Sequence, residues 1–246
     1  MKNITVLIFF YALTVFSQNY SREYLNEILN SDEIEFTDYF NETKNFDFSD
    51  VWLNEEHQDH YLGFIGKDYQ RMYIHFYTII KNRANNIQYY VRGKTKVKDQ
   101  IKLFMGSFEI LHSKLYITND NTYKRGFTIA SYEFYEVAKL DNSGSFTGVT
   151  KFDWYINDSG ELCYDNLNYD EEDYSSNFGS VGIWKEYNSD NEFICNFGQY
   201  RIPYAIDLDV GVGEFVPAKE YKNNGWEDFF SYSDGGEPDK KWWHEY

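Results

Sequence analysis

The stretch "FTGVTKFDWYI", Phe146 to Ile156, places Phe146, Gly148, Thr150, Phe152, Trp154 and Ile156 on one face and Thr147, Lys151, Asp153 and Tyr155 on the other. Successive side chains of an extended strand point to opposite faces, so this period of two predicts a half-buried strand with its large rings turned to a core. Gly148 in mid-strand predicts a bend or bulge of the kind that turns a barrel corner.

The same rhythm runs outward from this stretch in both directions. In "YQRMYIHFYTII", from Tyr69, one side holds Met72, Ile74, Phe76 and Ile80 and the other Tyr73, His75, Tyr77 and Ile79, which predicts a central or covered strand. In "IQYYVRGKTKVK", Ile87, Tyr89, Val91 and Val97 oppose Arg92, Lys94, Lys96 and Lys98, so one face is wet. Further strands are read in "IKLFMGSFEIL", "GFTIASYEFYEVAKL", "GELCYDNL", "FGSVGIWKEY" and "NEFICNFGQYRI". Turn sequences separate them, notably "DNSG" at Asp141 and "NDSG" at Asn157, where Asx and Gly residues accept the backbone angles of tight connections. The three prolines all lie at or after Pro203, so the central ladders keep their N–H donors. Aromatic residues make up 21% of the chain, which favours pleated, half-buried surfaces over helices. The expected fold is an all-β antiparallel meander, a closed or nearly closed barrel of eight to ten strands, with a two-sheet sandwich as the alternative.

Four segments are expected. "MKNITVLIFFYALTVFSQ" has a lysine, a short apolar run from Ile4 to Phe16 and a small residue at Ser17, the layout of a secretory signal peptide over residues 1–17. The apolar run is shorter than the ~20 residues a spanning helix needs, and no later segment is apolar enough, so a secreted or periplasmic protein with no membrane span is expected. Residues 18–60 read as a lead-in with a short helix in which Ser21 caps Tyr24, Leu25, Ile28 and Leu29 at helical spacing. Residues 61–230 form the barrel, and 231–246 a tail whose Trp242 and Trp243 dock on the body.

The formal charge of −17 argues against nucleic acid and anionic membrane faces, whose binding depends on Lys and Arg. Between Lys67 and Lys102, however, nine Lys or Arg face only Asp68 and Asp99, leaving the rest of the chain at −24. Such asymmetry points to self-complementary surfaces or a bipolar exterior. Cys163 and Cys195 can form one bridge in an oxidising compartment or remain two thiols; strand alternation that sets them on different faces argues for the second.

The pairing of "LGFIGKDYQRMYIHF" and "YYVRGKTKVK" with "NFGQYRIPYAIDLDVGVGEFVPAKEY" and "NNGW" resembles a group of exported proteins of Bacteroidota-type bacteria that has no assigned activity, over Tyr61 to Trp226. The resemblance implies export and a β-rich, calycin-like barrel, and it transfers no catalytic residue.

Several constellations bear chemistry. "DLDVGVGEF" supplies Asp207, Asp209 and Glu214 with glycine-freed carbonyls, oxygen donors suited to Ca2+, although the spacing is not that of an EF-hand and a solvated acidic turn is the simpler reading. Arg201, beside Tyr200, can clamp a ligand's carboxylate or phosphate, or pair with a nearby aspartate such as Asp207. Trp154 and Trp184 offer rings for a glycan or an apolar molecule, or belong to the core. "EEHQDH" sets His57 and His60 at a metal-compatible spacing with no third ligand evident. No nucleophile elbow, Walker loop or dinucleotide fingerprint occurs.

The expected function is an exported binding protein for a glycan or small amphipathic ligand, with Arg201, Tyr200, Trp154 and Trp184 orienting it. A polysaccharide hydrolase with paired carboxylates and a structural or inhibitory interaction module are the alternatives. The barrel interior separates the three: an apolar cavity with one cation fits binding, two facing carboxylates fit hydrolysis, and a filled interior fits the third.

Overall fold

The computed structural model describes residues 20–31, 35–117, 123–138, 140–165, 177–230 and 242–244; the signal peptide expected over 1–17 lies outside the described residues. Its strands are β1 (Phe36–Asp38), β2 (Tyr61–Ile65), β3 (Gln70–Lys81), β4 (Gln88–Val97), β5 (Gln100–Tyr116), β6 (Lys124–Glu136), β7 (Gly144–Ile156), β8 (Leu162–Tyr164), β9 (Asn177–Glu186) and β10 (Glu192–Gln199). Eight of them close in the cyclic order β2, β3, β4, β5, β6, β7, β9, β10, all antiparallel, with β1 added to β5 and β8 to β7. The protein is therefore mostly β, a closed eight-stranded meander barrel consistent with a calycin-like fold.

The two-residue alternation builds the interior. Phe146, Phe152 and Trp154 of β7 point inward as expected, joining Tyr89 and Val91 of β4, Phe104 and Phe108 of β5, and Tyr132 and Phe134 of β6 in one core. Gly148 marks no bulge: β7 keeps its register with both neighbours there. Gly148 lies opposite Gly182, and a Cβ on either would lie within 2.5 Å of the Tyr132 hydroxyl, so these two glycines make room for a ring. Irregularities fall instead in β5 after Ile110, in β10 after Phe197 and in β3, where the register with β4 shifts between Phe76 and Thr78. An extra residue flips every later side chain, so Ile79 is buried and Ile80 exposed, the reverse of the simple alternation.

Two helical segments cover what the strands leave open. A helix over 20–29, α1, lays Leu25, Ile28 and Leu29 on Phe127, Ile129 and Val149 outside the barrel. Ser21 lies within this helix, and its hydroxyl donates to the Val181 carbonyl, 3.3 Å away. Between β1 and β2 come α2 (Phe40–Thr43), α3 (Ser49–Leu53) and a 3-10 turn, Glu55–His60. This lead-in does more than wrap the domain, because Phe48, Val51 and Trp52 enter the core and plug one barrel end. Trp52 stacks on Phe108 at 4.7 Å and 16°. β2 pairs with only the first residues of β3, and side chains of the plug serve the β3 backbone beyond it: Phe76 N–H donates to Gln58 Oε1 (3.1 Å) and Lys81 N–H to Ser49 Oγ (3.2 Å).

Cys195 is buried inside the barrel against Met72, while Cys163 is half-buried on β8, and both are free thiols. Trp243 of the C-terminal segment stacks on His75 at 4.3 Å and 9°, and its carbonyl accepts hydrogen bonds from Tyr77 and Lys94 on the outer face. Among the described residues no helix is long and apolar enough to cross a membrane.

Candidate functional site

The end opposite the plug, where β2 joins β3, β4 joins β5, β6 joins β7 and β9 joins β10, opens into a cavity of about 1020 Å3. Ile65, Val97, Phe146, Trp184 and Phe193 give it apolar walls. Trp184 and Phe193, cross-strand partners on β9 and β10, stack at 5.9 Å.

Glu136 forms part of the cavity lining beneath these walls. As the last residue of β6 it shares the inward parity of Ala130, Tyr132 and Phe134, and its side chain is only 3% exposed. A buried carboxylate is tolerated only when donors surround it. Here Oε1 accepts from the Thr95 hydroxyl (3.2 Å), and Oε2 from the Trp184 indole N–H (3.1 Å) and the Gly144 backbone N–H (2.8 Å). The Lys102 ammonium lies 3.7 Å from Oε2 and 5.8 Å from the Trp184 ring, and it donates to the Asn142 carbonyl. Charges around the cavity nearly cancel: Lys67, Lys98 and Lys102 face Asp68, Asp99, Glu136 and Glu192. Burial raises the Glu192 carboxyl above its ordinary value, and Lys185 opposes that effect.

Of the residues picked from the sequence, Trp184 alone lines this cavity. Trp154 is wholly buried, its indole N–H donating to Thr128 Oγ1 at 2.9 Å. Tyr200 lies at the plugged end, stacked on His60 at 4.6 Å with its hydroxyl 2.8 Å from His57 Nδ1. Arg201 turns toward its own loop: Nη1 donates to Asp209 Oδ2 (2.6 Å), and the guanidinium also reaches the carbonyls of Gly211, Val212 and Gly213. Asp209 Oδ1 in turn accepts from the N–H groups of Gly211 and Val216. Asp209 is thus engaged within its own loop, and among the described residues no group of three or more His, Cys, Asp or Glu is placed to hold a metal. His57, bonded to Tyr200, stacks on Tyr164 at 4.7 Å, with the His60 ring 5.8 Å away.

Sequence reasoning missed Glu136, Lys102 and Thr95. The signal was present, since each occupies the inward parity of its strand, beside Phe134, Phe104 and Val97 respectively. A charged residue on an apolar parity marks a buried polar site.

No protein-family model, no curated protein and no solved structure matches this chain.

Proposed function

We propose that the protein is an exported binding protein that holds a neutral or zwitterionic amphipathic small molecule in the open end of its barrel. The observation that carries this reading is the Glu136–Lys102 pair at an apolar cavity of about 1020 Å3, at the upper end of small-molecule pockets. A paired ammonium and carboxylate offer a polar head group hydrogen bonds without a strong net field. The apolar body of the ligand lies against Val97, Phe146, Trp184 and Phe193. The balance of charges around the cavity disfavours a polyanionic glycan. Polysaccharide hydrolysis gains no support, because the Glu136 oxygens are occupied by Thr95, Trp184 and Gly144. Export rests on the lysine and short apolar run of "MKNITVLIFFYALTVFSQ".

Titration with the neutral fluorophore N-phenyl-1-naphthylamine tests the site. The expected result is saturable binding with a Kd on the order of 1 μM, weakened about tenfold by Trp184→Ala, which corresponds to ~1.4 kcal/mol. Failure of this probe, together with no change in melting temperature across neutral, zwitterionic and anionic amphiphiles, would overturn the reading.

A further inference from the structure

The open cavity has a polar side and an apolar side. Thr95 on β4 is the cross-strand partner of Lys102 on β5, and Glu136 ends the next strand, β6. Phe193 on β10 is four strands from Lys102 in either direction round the barrel, so the two lie on opposite sides of the mouth. Ile65, at the end of β2 beside β10, extends the apolar side. The other charged lining residues stand outside this division. Lys67 and Asp68 are neighbours in the β2–β3 turn, and Lys98 and Asp99 in the β4–β5 turn. Glu192 takes the parity of β10 opposite to that of the buried Cys195, across from Lys185.

The two members of the Glu136–Lys102 pair are not equally available to a ligand. Both Glu136 oxygens already accept, from Thr95, Trp184 and Gly144. The Lys102 side chain is 12% exposed, and an ammonium carries three N–H donors. Among the described residues it donates to the Asn142 carbonyl, while Glu136 Oε2 at 3.7 Å lies beyond hydrogen-bond length. What the pair offers is therefore a donor, and the group that answers it is an acceptor. Glu136 limits the charge of that acceptor. A carboxylate on Lys102 would set two anions against one cation, one of them a carboxylate only 3% exposed, whereas a neutral carbonyl leaves the pair balanced.

We propose that the head group bound here is a neutral acyl carbonyl, an ester or an amide, which accepts a hydrogen bond from Lys102, and that the charge on Glu136 turns carboxylates away. The acyl chain runs from the polar side across the mouth onto Ile65 and Phe193. This inference rests on the cavity being a ligand site, as proposed above, and narrows that ligand to one chemical class.

Methyl decanoate and decanoate share an acyl chain and differ in head-group charge, so the ratio of their affinities cancels any general effect of a substitution on the cavity. Calorimetric titration of the wild type at neutral pH should give tighter binding of the ester by about tenfold or more, because like charges brought together oppose the carboxylate. Glu136→Gln keeps an oxygen for the Trp184 and Gly144 N–H groups and turns an amide to the Thr95 hydroxyl. It leaves Lys102 as a lone cation, and there the order should reverse. Infrared spectroscopy reads the contact itself: the ester carbonyl band, clear of the protein amide bands, should lie at lower frequency in the wild-type complex than in cyclohexane, with a smaller displacement in Lys102→Met. If N-phenyl-1-naphthylamine binds but decanoate equals or exceeds the ester in wild type, the ratio is unmoved by Glu136→Gln, or the carbonyl band is not displaced, this inference fails and the cavity remains a ligand site. If neither that fluorophore nor either decanoyl compound binds, both fail together.

Discussion

Glu136 concentrates more consequence than any other side chain in this barrel. Replacing it with Ala strands the Lys102 ammonium and leaves the donors on Trp184, Gly144 and Thr95 without their acceptor. Breaking a buried pair from one side costs ~3 kcal/mol or more, so urea unfolding of Glu136→Ala should give a midpoint well below wild type, with Glu136→Gln between the two. Arg201 supports a different region. Arg201→Ala should raise amide exchange across 203–217 while barely changing it in β4, β5 and β6, because Asp209 and the carbonyls of Val212 and Gly213 that it holds belong to its own loop. At this scale the sequence was half legible. Arg201 was visible as a lone cation among aromatics, but whether such a group serves a ligand or its own loop depends on carbonyl directions that no residue pattern encodes. Trp184 and Trp154 looked alike in the sequence, and only their depth in the barrel separates a cavity wall from the core.

Elements were more legible where alternation was strict. β7 and β4 follow from their ring patterns, and α1 packs the face that Leu25, Ile28 and Leu29 define. The bulge in β3 was not legible, because apolar residues occupy both parities there and either assignment of Ile79 and Ile80 satisfies the pattern. α3 was hidden for another reason: Phe48, Val51 and Trp52 sit in an acidic stretch, and a plug is defined by the opening it fills. Trp52→Ala should cost ~3–5 kcal/mol in chemical unfolding, the usual loss for a fully buried large aromatic. The 3-10 turn after α3 adds a pH dependence. His57 is held below the ordinary imidazole value by burial and by His60, and His60 by burial. The unfolded chain then takes up protons first, so this contribution to stability is complete above pH ~6.5 and is lost as pH falls through the lower, folded-state values. Melting temperatures between pH 7.5 and 5 should fall less steeply in His57→Gln/His60→Gln than in wild type.

At the scale of the whole molecule, a continuous meander of ring-bearing strands explains both the closed barrel and its asymmetry. One end is sealed by Trp52 and the histidine turn. The other stays open over a paired charge, because Glu136 and Lys102 occupy positions where apolar rings would otherwise complete the core. A meander barrel of eight to ten strands, closed or nearly so, was legible from strand count and short turns, whereas closure at eight and the choice of open end depended on strand pairing and on which strand termini carry the inward-facing charges. The central claim is that the open end, and not the plugged end or the outer face, receives an amphipathic molecule. The most direct measurement is an NMR titration of 15N-labelled protein with N-phenyl-1-naphthylamine, observing backbone amides and tryptophan indole N–H groups. The account predicts that the Trp184 indole and the Gly144 amide shift progressively to saturation while Tyr200 and the Trp154 indole stay still. Shifts confined to the plugged end or to the outer strands, or no shifts at all, would contradict it.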